Sequence, residues 1–248
     1  MMVEGRYLKS AFAPVFRILE EMPLELGEDG VRGVGMDSAH VAAARLELPP
    51  GFFEEFRPPE EEVEIGVDGE YLARICNRIR VTDEVELSSD GEELVLVVRR
   101  EGYERVFRVR GIEVGESADL PELEYEAEVT LVPDFLADAV RDVEGVSDTV
   151  ELVAREGELM LRAEGEHSEV RPVVREGSEA LITSVEVEDG EVKALYSVDY
   201  LKDMVRAAQG AESVTLRFGE ELPLELEFRV GPAGEGTVKF YLAPRVEE

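Results

Sequence analysis

The sequence predicts an α+β protein built from two similar halves. Three observations support this: strand pairs with tight-turn signals occur along the whole 248-residue chain, only a few segments have helical spacing, and one helix-plus-strands pattern occurs twice. Hydrophobic residues make up 44% of the chain, which is enough to form a buried core. We therefore expect helices backed by antiparallel sheets in each half.

Three segments alternate between apolar and polar residues and predict β-hairpins. Residues 85–98 and 184–196 each place Asp-Gly between two alternating runs, a strong signal for a two-residue turn. Residues 149–165 alternate on both sides of a Glu-Gly pair. Each predicted hairpin has one apolar face, so we expect it to cover a core on that side.

Four segments carry apolar residues at i, i+3, i+4 and i+7, the spacing of a helix with one buried face. Pro14 lies in the first and predicts that this helix begins near it, because proline suits a first turn. The single cysteine, Cys76, lies in the second and is predicted to be a core residue. The four stripes are Phe12, Val15, Phe16 and Leu19; Leu72, Ile75, Cys76 and Ile79; Leu136, Ala139, Val140 and Val143; and Leu201, Met204, Val205 and Ala208.

The second and fourth helices lie in matching contexts. Tyr71-Leu72 corresponds to Tyr200-Leu201, and each pair precedes a similar alternating run at the same spacing. This indicates a duplicated unit of helix, strands, helix and strands. An acidic segment with Gly and Pro, residues 111–126, separates the copies and is typical of a linker. The predicted division is a domain at 1–113, a connecting loop at 114–124 and a domain at 125–248.

The chain is strongly acidic, with 58 Asp and Glu against 26 Lys and Arg and a formal net charge of -32. Such a charge repels nucleic acid and anionic membranes over most of the surface. High internal salt and basic partners are two explanations, and a solvated face accounts for most carboxylates. The sequence predicts no zinc cluster, signal peptide or membrane span, so we expect a cytoplasmic protein.

Against this background, residues 71–80 (YLARICNRIR) carry three arginines and no acid. Arg74 and Arg78 are four residues apart and lie on one helix face, opposite the apolar stripe. Pairing with nearby acids accounts for any single cation, but recurrence on four helices favours a surface that faces phosphates. The candidate residues are Lys9, Arg17, Arg74, Arg78, Arg80, Arg141, Lys202 and Arg206.

Three segments resemble the proliferating cell nuclear antigen family of archaeal and eukaryotic DNA sliding clamps. Residues 33–56 resemble its MDSSHV segment and the GF that follows, 118–129 resemble the end of its connecting loop, and 223–248 resemble its C-terminus with the YLAP ending. The resemblance covers essentially the whole chain. It implies a homotrimeric ring around duplex DNA, with two helices from each domain on the inner wall and strands outside.

The resemblance implies a processivity factor for replication and repair, without catalysis, metal or cofactor. Its partners would be DNA polymerase, clamp loader, flap nuclease and DNA ligase, bound through short peptides, with the tail after Pro244 offering backbone for strand addition. Core packing is the alternative for Met36 and Val41, and a structural role is the alternative for His40. The implied groove residues are Met36, His40, Val41, Leu120, Pro121, Pro223, Tyr241, Ala243 and Pro244.

The resemblance also implies that the ring closes by pairing the edge strands 103–111 and 166–174 of neighbouring subunits. Two alternatives stay open: a subunit of a specialised heteromeric clamp, and an acidic metal-dependent hydrolase. The second lacks a phosphate loop, a nucleophile motif and a histidine-centred acid/base set. The implied contact residues are Arg105, Arg108 and Arg110 on one edge and Glu166 and Glu169 on the other.

Overall fold

The computed structural model describes residues 1–115, 120, 123–180, 183, 185–187 and 190–246. Within these residues, the α-helices lie close to the four predicted segments. Short 3₁₀ helices occur at Pro50–Phe52 and Val205–Gly210, the latter directly after the last α-helix. The α-helices are α1 (Gly5–Ile18), α2 (Gly69–Arg78), α3 (Pro133–Glu144) and α4 (Val198–Met204).

The strands alternate with these helices in the same order in both halves. Those of the first half are β1 (Met2–Glu4), β2 (Glu21–Gly27), β3 (Gly30–Met36), β4 (Ala42–Leu48), β5 (Val63–Asp68), β6 (Glu84–Ser89), β7 (Glu93–Arg100) and β8 (Tyr103–Arg110). Those of the second half are β9 (Ala127–Leu131), β10 (Thr149–Arg155), β11 (Glu158–Glu164), β12 (Glu169–Val170), β13 (Val173–Arg175), β14 (Glu186–Val187), β15 (Glu191–Ser197), β16 (Ala211–Phe218), β17 (Leu224–Val230) and β18 (Gly236–Leu242).

Each half contributes one sheet of its own, and both contribute to a third. The first half forms the sheet β1-β6-β7-β8, and the second forms β12-β11-β10-β15, with β13 also paired to β11. The third sheet runs β14-β9-β16-β17-β18-β4-β3-β2-β5 and crosses between halves where β18 pairs with β4. This arrangement confirms the α+β class, with helices backed by antiparallel sheets.

The helices form one layer over the strands. Helix α1 packs against α2 on one side and against α4 and its 3₁₀ extension on the other, and α3 packs against α4. The close approach of the two halves depends on Gly210, because a Cβ there would lie 2.4 Å from Oγ of Ser10 in α1. All predicted stripe residues, including Cys76, are buried beneath this layer.

Two details differ from the sequence-based expectation. Helix α1 begins at Gly5, so Pro14 lies inside it and not at its first turn. Neighbouring residues on nearly every side of α1, among them Phe12 and Phe16, are buried, and this packing offsets the hydrogen bond that proline cannot donate. The hydrophobic stripe therefore predicted the position of the helix correctly, whereas the start of the helix predicted from Pro14 was wrong.

The predicted hairpin at residues 184–196 is also wrong. Strand β14 pairs with β9 in the nine-stranded sheet, whereas β15 pairs with β10 along seven residues in another sheet. Gly190 does adopt the left-handed φ of 62° that suits a turn. The turn chemistry is thus present, but each flanking strand finds its partner in a different sheet. The hairpins at 85–98 and 149–165 are confirmed.

A buried carboxylate holds the end of α2, the start of α1 and strand β8 together. Asp83 is 1% exposed, and its Oδ2 accepts hydrogen bonds from the Arg80 backbone N–H at 3.0 Å and from Arg105 Nη2 at 3.0 Å. Its Oδ1 lies 3.2 Å from Arg100 Nε, and its backbone oxygen accepts the Gly5 N–H. Arg105 also donates to the Arg78 carbonyl, which closes the connection to the helix.

We expect Asp83→Asn to lower the free energy of unfolding by about 3 kcal/mol, because it leaves two arginines without their buried counter-charge. Guanidinium unfolding at a fixed protein concentration measures the loss. Glu84→Gln, at the exposed neighbouring position, is the matched control and should change stability little. Equal stability of the two variants would contradict the role assigned to Asp83.

Candidate functional surfaces

The predicted basic residues lie on the helical layer, but they differ in whether a nearby carboxylate neutralises them. Arg74, Arg78 and Arg80 are exposed on and just after α2. Arg74 is 3.6 Å from Glu70, whereas no carboxylate of the described residues lies within 4.0 Å of the Arg78 or Arg80 guanidinium. Lys9 is half-buried and its Nζ lies 3.4 Å from the Ile79 carbonyl oxygen.

The remaining basic candidates are bound to acids of the same chain. Arg17 and Arg206 both donate to Asp203, at 2.7 and 2.9 Å. Arg141 is paired with Asp138 at 2.5 Å. Lys202 lies 2.7 Å from Asp199 and 3.5 Å from Glu144. Side-chain pairing raises the pKa of Lys202 and lowers that of Asp199. Exposed pairs of this kind contribute little stability, but they neutralise the cation locally.

The predicted groove residues are brought together by strand register on the nine-stranded sheet. Met36 of β3 lies opposite Ala43 of β4, and Ala43 lies opposite Tyr241 of β18. The small side chain at Ala43 therefore separates two large ones. Met36 is 38% exposed, so it is not a core residue. The row continues to Glu225, whose carboxylate pairs with Arg217 at 2.6 Å and with Lys239 at 3.1 Å.

The loop at residues 37–41 is held by Asp37, which is 5% exposed. Its Oδ1 accepts the backbone N–H groups of Val41 and Ala42, both at 2.8 Å, and its Oδ2 accepts the Tyr200 hydroxyl at 2.7 Å. The hydrogen bond to Asp37, assisted by burial, raises the pKa of Tyr200 to about 12. His40 sits exposed in this loop with a left-handed φ of 56°.

The C-terminal segment is anchored to its own chain at two points. The Ala243 N–H donates to the Val41 carbonyl at 2.8 Å, and the Arg245 N–H donates to the Leu195 carbonyl of β15 at 2.6 Å. The tail beyond Pro244 is thus paired with β15 at Arg245. A cavity of ≈ 680 Å³ lies beside it, lined partly by Ala194, Leu195 and Pro244.

The other predicted groove positions are Pro223, half-buried before β17, and Leu120, half-buried in the loop. Pro121 lies outside the described residues.

The two predicted subunit-contact segments are free edges. Strand β8 is the last strand of its sheet, and β12 and β13 lie at the edge of the second. Tyr103 and Val106 of β8 are about half exposed. Arg108 and Arg110 extend toward solvent near Glu93, whereas Arg105 differs from expectation, since its guanidinium is bound to Asp83 of its own chain.

On the second edge, Glu166 is exposed in a turn and Glu169 is paired with Arg162 and Arg171. The side-chain hydrogen bond from Arg171 is the main reason that the Glu169 pKa is lowered.

Comparison with known proteins matches both halves of the chain to one family. Residues 1–114 match the family described as proliferating cell nuclear antigen, N-terminal domain, and residues 119–245 match its C-terminal domain. A DNA polymerase sliding clamp of Methanopyrus kandleri is 51% identical over 99% of this chain and 96% of the relative.

The chain belongs to the proliferating cell nuclear antigen family.

Solved structures of the family agree with the fold. The PCNA of Thermococcus kodakaraensis has a TM-score of 0.86 at 26% identity and covers 99% of both chains. A structure of A. fulgidus PCNA bound to the C-terminal region of FEN-1 has a TM-score of 0.84 at 26% identity, covering 100% of this chain and 98% of that one. The chain is thus a sliding clamp, a non-enzymatic processivity factor, which excludes the hydrolase alternative.

Two residues of these surfaces were missed from the sequence. Ala43 lies in a run of three alanines whose register no local signal reveals. Asp37 belongs to the quoted MDSAH segment, but its bond to Tyr200 joins positions 163 residues apart.

Among the described residues, no group of metal-binding side chains occurs, and no helix is long and apolar enough to cross a membrane.

We expect Tyr200→Phe to lower the free energy of unfolding by about 1–2 kcal/mol at pH 8, because a hydrogen bond to a buried carboxylate is lost. Tyrosine ionises near pH 10 when unfolded and at about pH 12 here. The wild-type advantage should therefore be complete below pH 10 and disappear as the pH rises to 12.

Denaturant unfolding across this pH range measures the difference, with Tyr71→Phe as the exposed control. A wild-type advantage that does not change with pH would contradict the assignment.

Proposed function

We propose that three copies of this chain close into a ring around duplex DNA and tether replication and repair proteins to it. The observation that carries the proposal is the single helical layer with exposed arginines on α2, backed by sheets that end in free edges at β8 and at β12 and β13. A free edge exposes unpaired backbone groups and is a template for pairing with another chain. Such pairing, head to tail, generates a closed ring.

The arginines of α2 supply phosphate contacts without sequence readout. Arg74, Arg78 and Arg80 project from the layer as exposed cations. Contacts to the phosphate backbone fix position but carry no sequence information, and they weaken steeply as salt rises. A ring is held by topology and needs only weak contacts, which permits sliding. We place this clamp in the cytoplasm, associated with DNA.

Client proteins bind, in this proposal, at the groove formed by Met36, Ala43 and Tyr241 and bounded by the C-terminal segment. The exposed Met36 and the small Ala43 provide an apolar depression, and the tail provides backbone groups beside it. DNA polymerase, clamp loader, flap nuclease and DNA ligase are the proposed clients, each presenting a short peptide. Asp37 holds the loop beside this groove by accepting the backbone N–H groups of Val41 and Ala42.

We expect the clamp, once loaded onto nicked circular DNA, to co-elute with the circle and to be lost when the circle is cut by a restriction enzyme. A ring is retained by topology and slides off a free end. Gel filtration of radiolabelled clamp measures the retained fraction. Equal retention on circular and linear DNA, or no retention on either, would be incompatible with encirclement.

We expect truncation after Leu242 to weaken binding of a peptide with the C-terminal region of FEN-1 by about tenfold or more, a loss of about 1.4 kcal/mol. The truncation removes the backbone bonds of Ala243 and Arg245, whereas truncation after Arg245 retains both and is the control. Titration calorimetry measures both affinities. Full affinity in the shorter variant would place the peptide site elsewhere.

A further inference from the structure

The helical layer is electrically divided into two halves. Helices α1 and α2 together carry five basic residues and one acid, whereas α3, α4 and the 3₁₀ extension carry three basic residues and six acids. Because α1 and α2 pack together and α3 packs on α4, the basic and the acidic helices form adjacent surfaces, which meet where Arg17 of α1 pairs with Asp203 of α4. The acids of the second surface are Asp134, Asp138, Asp142, Glu144, Asp199 and Asp203.

The few cations on the acidic surface are already paired with carboxylates. Arg141, Lys202 and Arg206 each lie within 2.9 Å of a carboxylate of the same surface. A phosphate that approached them would have to displace that carboxylate and would still face the remaining acids. On and just after α2, by contrast, Arg78 and Arg80 have no carboxylate within 4.0 Å among the described residues, and Arg74 has only a longer contact.

A groove of ≈ 630 Å³ between α3 and α4 adds to the difference in charge between the two surfaces. Its lining includes Asp134, Asp138 and Glu144 beside the three paired cations, so its charge is not positive. Within a Debye length of roughly 8 Å at physiological ionic strength, uncompensated acids repel phosphates. The layer therefore offers phosphates an attractive surface on the first half of the chain and a repulsive one on the second.

We infer that duplex DNA contacts the clamp through α1 and α2 only, while α3 and α4 hold the duplex at a distance. The inference rests on the proposed encirclement of DNA. In a three-subunit ring, three basic arcs would alternate with three acidic arcs, so the charge pattern has threefold symmetry even though the fold repeats six times. The duplex would lean on one basic arc at a time, and few contacts would need to break as it slides.

Photo-crosslinking tests the placement directly. Asn77 on α2 and Gln209 after α4 are both exposed, neutral and polar, so each can be replaced singly by p-benzoylphenylalanine. Clamp of each kind is loaded on nicked circular DNA and irradiated. We expect several-fold more DNA crosslinking from position 77 than from position 209. Equal crosslinking, or more from position 209, by clamp that remains on the circle would overturn the inference while leaving encirclement intact.

Charge-matched variants provide the second measurement. Arg74→Gln, Arg78→Gln and Arg80→Gln are combined in one protein, and Arg141→Gln, Lys202→Gln and Arg206→Gln in another, so both lose the same charge. We expect the first to weaken binding of a labelled duplex by roughly tenfold and to flatten its salt dependence, and the second to change affinity less than about twofold. Equal weakening in both would overturn the inference.

Removing acids should act in the opposite direction. Asp134→Asn, Asp138→Asn and Asp142→Asn together should raise duplex affinity by about threefold or more, because the repulsive surface becomes weaker. An unchanged affinity would contradict the repulsion assigned to α3. Failure of the wild-type clamp to stay on circular DNA would instead reject the proposed function, which keeps the two failures distinct.

Discussion

The pairing of β4 with β18 builds one continuous sheet from the two halves of the chain. Residues 42–47 pair with 237–242, and this contact joins the two copies of the repeat into one nine-stranded sheet. With the sheet continuous, the helices of both halves meet in a single layer, where Ser10 contacts Gly210. Strand β8 and the β12–β13 region lie at edges of the other two sheets, one in each half.

The net charge of -32 makes the local placement of cations informative. Most basic residues of this chain are paired with carboxylates on the surface, where such pairs contribute little stability. The residues at the end of α2 depart from that pattern, and Asp83 explains how they are held. It is buried, binds Arg100 and Arg105, and through Arg105 connects the helix end to the edge strand. The proposed DNA contact and subunit contact thus share one structural support.

Local sequence patterns predicted most of the helices and strands. Contacts between residues distant in sequence determined which strands pair and which side chains meet, and the patterns could not predict these. Helical stripes such as Leu72, Ile75 and Cys76 located each α-helix of the described residues, because the spacing of apolar residues directly reflects burial on one face. Pro14 and the 184–196 hairpin were misread, since tertiary packing and sheet membership overrode local turn and helix preferences. Ala43, Asp37 and Asp83 each have a partner distant in sequence, namely Tyr241, Tyr200 and Arg105, and no local signal reveals these contacts. The predicted subunit and DNA contacts themselves remain predictions.

Closure of the proposed ring requires the free edges to pair between three copies. Molar mass in solution, measured by light scattering at low salt and in molar potassium chloride, shows whether they do. A subunit of 27.6 kDa should give about three times that mass, roughly 83 kDa, in at least the high-salt solution, where repulsion between acidic subunits is screened. A mass of one subunit in both solutions would contradict the account.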